Sequence, residues 1–372
     1  MIRILFCTPL CSIGGISRWA SHIIEYGESV KQDGIQVVPF QMNRLRSVGT
    51  KTSRWNRLIS GIIDYWRIYL KYIDILKSEN QYDIVHLSSS ASISLLKDIL
   101  FLRTAQKKNI KTIIHFHFGR IPDVFLKKNW EYRLLKKTLR FSNSIIVIDQ
   151  ASYNTLKGAG YSNVYYVPNP IAPKVLSYIN SFEANISRNH CELLFAGHVI
   201  RTKGVYELIE ACKSMSGIQL KMMGAVHPEV KKQLLDLASK EGDNSWLQIV
   251  GEHSYEEVLK EMMQCAVFVL PTYTEGFPNV ILESMACGCS IVTTDVGAIP
   301  EMLDIKNGFN NGICIKPRDV NQLHDAIYMM LNSSEYAQQC GRNAQLRVNA
   351  LYTMPRIWTL LVEIWMSLGK TN

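Results

Sequence analysis

Short apolar runs alternate with amphipathic stretches along almost the whole chain. Six runs in each half have the length of buried strands, and most are separated by helical spacings of three and four. Near-continuous apolar strands joined by helices are typical of a parallel sheet covered on both faces. The pattern therefore predicts an α/β protein with two doubly wound parallel sheets. The predicted strands are Ile2–Cys7, Gln36–Phe40, Ile84–Leu87, Thr112–Phe116, Ser144–Ile148, Val164–Val167, Glu192–Ala196, Gln219–Met223, Leu247–Val250, Val267–Leu270, Ser290–Thr294 and Gly312–Ile315. The helices predicted in the first half are Ser17–Val30, Arg54–Lys77, Ile93–Lys107, Leu126–Leu139 and Ala151–Gly158.

The alternation lapses once, in a polar stretch between the two sets of strands. We therefore predict a first domain over 1–172, a linker over 173–190 and a second domain over 191–350. A last helical segment over 351–372 lies beyond the second domain and is expected to pack back on the first. Ligands of doubly wound sheets bind outside the carboxyl ends of the strands, so we expect the active site in a cleft between the domains.

Cysteine content and charge limit the cell compartments in which the protein is expected and the classes of partner that it can bind. The nine cysteines are odd in number and scattered, without zinc-type pairs, which favours a reduced, cytoplasmic protein. No run of about 18 uncharged apolar residues predicts a membrane span. The net charge is +9, and 51–77 and 127–140 each hold six basic residues. Nucleic acid, an anionic membrane and phosphate-bearing substrates all fit such charge, which alone does not choose between them.

The segment 269–301 has the densest pattern of candidate functional residues. A strand is followed by a loop with Glu275, and a helix predicted to begin near Asn279 carries Glu283 in or near its first turn. Backbone N–H groups at a helix start bind phosphate, and a carboxylate accepts hydrogen bonds from two sugar or ribose hydroxyls. The alternative is that Glu283 only complements the helix dipole and Glu275 is a surface residue. The spacing alone leaves both interpretations open.

This segment resembles the E-x7-E region of retaining glycosyltransferases of family 4. The match runs through Pro271, Glu275-Gly276-Phe277, Glu283, Met285-Ala286, Gly288, Val296-Gly297 and Pro300-Glu301. The resemblance implies the GT-B fold, with two Rossmann-like domains facing a cleft. It also implies that Glu275 contacts the donor sugar and that Glu283 binds the ribose hydroxyls. We assign Gly276, Phe277, Asn279 and Val280 to the same donor site. Pro278 departs from the family, because many members have glycine there.

The second candidate segment is the loop after the strand that ends at Ala196. It carries His198, Arg201 and Lys203. Cations at the carboxyl end of a sheet suit a diphosphate whose charge grows as a glycosidic bond breaks, although a solvated surface loop is the alternative. The loop resembles the family's phosphate-binding loop, in which Lys203 matches the usual lysine. His198 stands where the family has arginine, and Arg201 is a candidate to supply the missing charge.

The first domain has weaker signals. Gly14 and Gly15 follow the first strand and allow close approach of a ligand to the backbone, although a plain tight turn explains them equally well. The family has a Gly-Gly pair at this point, which favours donor binding. His115 reads as a core histidine, whereas His117 matches the family's cleft histidine near donor sugar and acceptor. Gly251 lies where the family receives the nucleotide base.

No Asp-x-Asp motif occurs, so the resemblance implies an enzyme without a metal ion or other cofactor. We predict transfer of a sugar, with retention, from a nucleotide diphosphate sugar, favouring UDP, to a hydroxyl of a glycan or lipid-linked acceptor. Glu275, His117 and Lys203 are the predicted catalytic residues. The alternatives are a sugar-nucleotide epimerase of the same fold and a non-catalytic sugar-nucleotide-binding protein. No motif for reading nucleic acid is present.

The amphipathic pattern of 54–77 suggests where the enzyme works. A stripe of apolar residues at spacings of three and four is bordered by arginines and lysines, as in helices that rest among anionic headgroups. The alternative is a helix that packs on the sheet with solvated charges. We expect a peripheral protein on the inner face of the cell membrane. The predicted stripe is Trp55, Ile59, Ile62, Trp66, Tyr69, Ile73 and Leu76.

Overall fold

The computed structural model describes residues 1–10, 15–31, 34–42, 54–77, 82–182, 188–239 and 243–369, with the backbone alone for 54–62. These residues divide into two compact units. The first unit is Met1–Pro168 together with Pro355–Asn372, and the second is Asn169–Met354.

The first unit contains a six-stranded parallel sheet in the order β2-β1-β3-β4-β5-β6. Its strands are β1 (Ile2–Thr8), β2 (Ile35–Gln41), β3 (Ile84–Ser89), β4 (Lys111–Phe116), β5 (Ser144–Val147) and β6 (Val164–Tyr166). Its helices are α1 (Gly15–Val30), α2 (Arg54–Lys77), α3 (Ser94–Gln106), α4 (Ile121–Lys127), α5 (Trp130–Arg140) and α6 (Gln150–Gly158), and helix α15 (Met354–Gly369) lies almost entirely in this unit.

The second unit also contains a six-stranded parallel sheet, in the order β12-β11-β10-β7-β8-β9. Its strands are β7 (Asn189–Ala196), β8 (Gln219–Met223), β9 (Leu247–Gly251), β10 (Cys265–Leu270), β11 (Ser290–Thr294) and β12 (Ile313–Ile315). Its helices are α7 (Pro173–Phe182), α8 (Val205–Cys212), α9 (Pro228–Ala238), α10 (Tyr255–Gln264), α11 (Asn279–Ala286), α12 (Ile299–Met302), α13 (Val320–Asn332) and α14 (Ser334–Leu351). The predicted α/β class and both doubly wound sheets are confirmed.

Two predicted elements are wrong. The single helix Leu126–Leu139 is two helices, because Lys128 is left-handed at φ 48° and the Asn129 side chain accepts the Glu131 N–H at 3.0 Å to begin α5. The linker 173–190 contains α7, whose Val175 and Ile179 are buried. A short helix with few buried positions does not stand out beside the polar run that follows it.

Helix α2 does not present the single stripe that its sequence suggested. Ile68, Tyr72 and Leu76 are buried in the core on one face of the first sheet, while Trp66 is 51% exposed. The predicted stripe therefore runs from solvent into the core, because spacings of three and four drift around a helix over 24 residues. The side chains of Trp55, Ile59 and Ile62 lie outside the described residues. Of the helices described, none combines the length and apolar character needed to cross a bilayer.

The C-terminal helix α15 closes the opposite face of the first sheet. A Cβ atom at Gly27 of α1 would lie 2.5 Å from the Trp358 ring, so this contact requires glycine. In the second unit, the two ends of the segment are held together by a bridge between Ile171 and Thr353, and the Ile171 N–H donates to the Tyr352 carbonyl at 2.7 Å. The second unit is thus a continuous segment whose ends are neighbours.

Candidate functional site

Two loops meet at one edge of the second sheet. Strands β7 and β10 are parallel neighbours, so the loops that leave their carboxyl ends lie side by side. The Tyr273 N–H in the second loop donates to the Thr202 carbonyl in the first at 2.9 Å. Gly204 makes this approach possible: it is left-handed at φ 71°, and a Cβ there would lie 1.9 Å from the Pro271 carbonyl oxygen.

The contact between these loops joins two of the predicted site residues. The Lys203 ammonium forms a hydrogen-bonded ion pair with Oε1 of Glu275. Their side chains are only 26% and 13% exposed, so the pair is partly screened from water. The structure therefore places a cation and a carboxylate together at the carboxyl end of the sheet, where a ligand's charge would meet both.

The main chain around Glu275 is fixed by a third loop. Gly297, between β11 and α12, has φ 58°, and a Cβ there would lie 2.3 Å from the Glu275 carbonyl oxygen. The next residue, Ala298, donates its N–H to the Gly276 carbonyl at 2.9 Å. The turn at Gly297 thus holds Glu275 and Gly276 against the sheet edge and fixes the main-chain position of Glu275.

Helix α11 begins directly after this loop. The buried Asn169 donates through Nδ2 to the Phe277 carbonyl at 3.2 Å and to Asn279 Oδ1 at 3.4 Å, which fixes the helix start. Phe277 itself is 5% exposed and packs edge-on against Tyr352, with ring centroids 5.6 Å apart. Its side chain is therefore part of the core, and its carbonyl is engaged by Asn169. Asn279 and Val280, half-buried, form the first turn with its free N–H groups.

Glu283 is the fifth residue of α11, directly after the first turn, and is 6% exposed. The Tyr255 hydroxyl donates to its Oε1 at 2.7 Å. Tyr255 is the first residue of α10, which begins with a capping box formed by Ser254 and Glu257. The contact of Tyr255 with Glu283 could not be predicted from the sequence, because it depends on how two helices pack.

Further cations surround the Lys203 loop. Arg201 is exposed and lies 4.9 Å over the Tyr206 ring, and Arg318 lies 4.5 Å over the Tyr273 ring. Burial and the neighbouring Glu207 carboxylate, which accepts its hydroxyl hydrogen bond at 2.6 Å, raise the pKa of Tyr273 to about 12. Arg318 was not predicted as a site residue; it is left-handed at φ 66° in the approach to α13.

The remaining predicted residues of this unit are His198 and Gly251. His198 is exposed in the loop after β7. Gly251 ends β9 at φ 85° with open space where a Cβ would stand, and its carbonyl accepts the Gly224 N–H at 2.7 Å. Gly251 is thus required by backbone conformation rather than by crowding.

The other two predicted positions with described structure belong to the first unit. Gly15 is the exposed first residue of α1, with open space where a Cβ would stand, and Gly14 lies outside the described residues. His117 follows β4 and its N–H donates to the Ser89 carbonyl at 2.9 Å. Its ring is stacked on His115, with centroids 4.2 Å apart, and burial lowers the pKa of His117 to about 3. His117 is therefore a neutral imidazole at the carboxyl end of the first sheet.

The structure places His86 beside His115 and His117, so three histidines lie together in the first unit. His86 Nε2 lies 3.2 Å from His115 Nδ1, so these two ring nitrogens share a hydrogen bond. Within the described ranges, no group of three histidine, cysteine, aspartate or glutamate side chains is arranged to hold a metal ion.

The sequence and fold have clear relatives. The profile of Glycosyl transferases group 1 matches residues 179–347, and that of Glycosyltransferase Family 4 matches residues 14–175. An uncharacterized glycosyltransferase of Methanocaldococcus jannaschii is 24% identical over 298 residues, which are 72% of this chain and 81% of that protein. The capsular polysaccharide biosynthesis glycosyltransferase CapM of Staphylococcus aureus is 22% identical over 256 residues, 67% of this chain and 62% of CapM. Anabaena HepE, solved in complex with UDP, has a TM-score of 0.73 at 16% identity and covers 99% of this chain and 100% of HepE.

Proposed function

The chain belongs to the family 4 type of glycosyltransferases with the GT-B fold, and from that premise we propose the following reaction. A sugar is transferred from a UDP-sugar to a hydroxyl group of a glycan or lipid-linked acceptor, with retention of the anomeric configuration and without a metal ion. HepE was solved with UDP and with UDP-glucose, which supports UDP as the nucleotide. The name of CapM supports polysaccharide biosynthesis as the setting.

The observation that carries this proposal is the pairing of Lys203 with Glu275 at the carboxyl end of the second sheet. When the glycosidic bond breaks, negative charge develops on the diphosphate, and a lysine ammonium at that point stabilises it. In our proposal Lys203, with Arg201, His198 and the α11 N-terminus, binds the diphosphate. Glu275, together with the Gly276 backbone, contacts the donor sugar beside the reacting carbon.

We assign the other site residues roles that agree with their surroundings. The buried Glu283, held by Tyr255, accepts the ribose hydroxyls, because a carboxylate fits two adjacent hydroxyl donors. Phe277 contributes its backbone, and Gly251 receives the base through main-chain groups. In the first unit Gly14 and Gly15 admit the donor phosphates, and the neutral His117 contacts donor sugar and acceptor.

The test is release of UDP from a panel of UDP-sugars, with and without polysaccharide or lipid-linked acceptors, followed by NMR assignment of the product anomer. We expect acceptor-dependent UDP release and a product with the donor's anomeric configuration. An inverted product would contradict retention. Conversion of the UDP-sugar to its epimer would identify the epimerase, and binding without turnover would identify the non-catalytic protein.

The outer surface of the first unit supports a site of action at the membrane. Helices α2, α3 and α5 pack in one layer on the first sheet. On the outside of this layer and of α4, Trp66, Leu70, Leu96, Leu126 and Trp130 are each more than half exposed. Exposed basic residues accompany them: Arg67, Lys71, Lys77, Lys127, Lys128, Arg133, Lys137 and Arg140.

We infer that this layer rests on the anionic inner face of the cell membrane. Tryptophan and leucine enter the headgroup region, while each nearby lysine or arginine contributes about 1 kcal/mol of attraction to anionic lipid. Co-sedimentation with vesicles containing phosphatidylglycerol should exceed that with phosphatidylcholine vesicles and fall as salt rises. Leu70→Ser should weaken binding, whereas the matched change Leu346→Ser in the second unit should not. Equal, negligible sedimentation with both vesicles would refute the membrane location.

A further inference from the structure

A row of hydrogen-bonded rings crosses the first unit from its C-terminal helix to β4. The Trp365 indole N–H donates to His86 Nδ1 at 3.0 Å, and His86 Nε2 lies 3.2 Å from His115 Nδ1. All three side chains are fully buried. His115 in turn stacks on His117, with centroids 4.2 Å apart and the rings 21° from parallel.

The direction of every hydrogen bond in this row follows from the first donor. An indole nitrogen can only donate, so His86 Nδ1 must accept and its proton must be on Nε2. That proton is donated to His115 Nδ1, which places the proton of His115 on its own Nε2. A second proton on His86 would set two N–H groups against each other at Trp365, and one on His115 would do the same at His86.

Burial also favours the neutral form of His86 and His115, which these hydrogen bonds require. Loss of solvation lowers the pKa of His86 to about 3 and lowers the pKa of His115 well below its usual range. On its other side, His115 meets the Trp19 ring edge-on at 4.7 Å, and His117 lies 4.3 Å from the same ring. The Nε2 atoms of His115 and His117 are buried and have no hydrogen-bond partner among the described residues. The His117 ring is therefore held by its contacts with the rings of His115 and Trp19, and not by a hydrogen bond at its Nε2.

We propose that Trp365 is a positioning residue for His117: its indole N–H fixes the tautomers of His86 and His115 and so fixes the ring on which His117 stacks. The inference rests on the proposed function only for the role of His117 in transfer. The tautomers themselves are a property of the resting protein. A helix some 250 residues later in the chain thus sets the orientation of a side chain at the end of β4.

Histidine side-chain ¹⁵N NMR of the full chain tests the row without any activity measurement. We expect His86 and His115 to be neutral, each with its proton on Nε2. In Trp365→Phe, His86 Nδ1 loses its donor, so the ¹⁵N shifts of both histidines should change. The control is Trp358→Phe on the same helix, since the Trp358 nitrogen has no partner among the described residues and should leave these shifts in place.

Kinetics then tests whether the row acts through His117. Trp365→Phe should lower kcat about 5- to 10-fold with little change in KM for the donor, the size of one neutral hydrogen bond. In a His86→Phe background the same change should have no further effect on kcat, because the row is already broken. Additive effects, or a wild-type spectrum with the His115 proton on Nδ1, would overturn the proposal. If His117→Ala keeps wild-type turnover while the spectra are as expected, the proposed role of His117 fails and the row remains.

Discussion

The pairing of Lys203 with Glu275 leads to an unusual prediction for Glu275→Gln. In the proposed reaction Lys203 binds the diphosphate and Glu275 contacts the donor sugar, so UDP, which lacks the sugar, would contact only Lys203. In the resting protein the lysine is already engaged by a carboxylate, and a diphosphate must compete with it. Removing the carboxylate charge should therefore tighten UDP binding, even though the mutated residue belongs to the site.

The size of the effect follows from the exposure of the pair. Two unit charges 4 Å apart interact by about 4 kcal/mol at an effective dielectric constant near 20. The pair is shielded from water only in part, since its side chains are 26% and 13% exposed, so solvent still weakens the attraction and we take about 1 kcal/mol. UDP affinity of Glu275→Gln should then rise about 5-fold, while turnover of the UDP-sugar falls at least 10-fold.

Isothermal titration calorimetry with UDP, at low and at 0.5 M salt, measures the change. Glu229→Gln, which removes an equally negative but exposed side chain, controls for the general loss of charge and should leave affinity within a factor of two. Lys203→Ala should weaken UDP at least 10-fold and abolish the gain from Glu275→Gln. Weaker UDP binding by Glu275→Gln alone would show that the glutamate binds the nucleotide, and our account of the pair would be refuted.

Four further predictions follow. Glu283→Ala should weaken donor binding at least 10-fold in titrations, because a buried carboxylate is lost; unchanged affinity would remove it from the donor site. Activity should survive excess EDTA within a few-fold, whereas loss that manganese restores would contradict a metal-free reaction. Gly204→Ala should lower Tm by several degrees and Gly217→Ala, at φ 75° in open space, by less; equal shifts would count against crowding. Because burial lowers the pKa of His86 and His117 to about 3, the unfolded state binds protons first below pH about 6.5. Tm should therefore fall on acidification to pH 5, by less in His86→Phe.

The strands and their order along the chain could be predicted because both sheets are parallel and buried. Their strands are continuous apolar runs, which local sequence reports directly. Elements that depend on a single residue could not be predicted in the same way. Helices α4 and α5 are separated only by the left-handed Lys128 and the Asn129 cap, and neither residue interrupts the apolar periodicity.

Lys203, Glu275 and Glu283 were predicted as site residues from the resemblance of their segments to the family. The structure brings Lys203 and Glu275 into contact, and the roles of all three remain predictions. Their supports were missed because each contact spans a long separation in sequence. Tyr255 reaches Glu283 from another helix. Arg188 was assigned to the predicted linker, yet it donates to the carbonyls of Met262, Cys265, Cys287 and Gly288 and ties three elements of the second unit together.

The second unit interrupts the first along the chain. The two units can therefore be completed only in a fixed order during synthesis. Every residue of the second unit is synthesised before residues 355–369, and the hydrogen bond from Ile171 to Tyr352 joins the ends of that unit without any residue of this later segment. The first unit must wait, with the surface around Gly27 and His86 uncovered, until residues 355–369 are synthesised. The nascent first unit is therefore the part that needs protection from aggregation, although most of it is synthesised before the second unit.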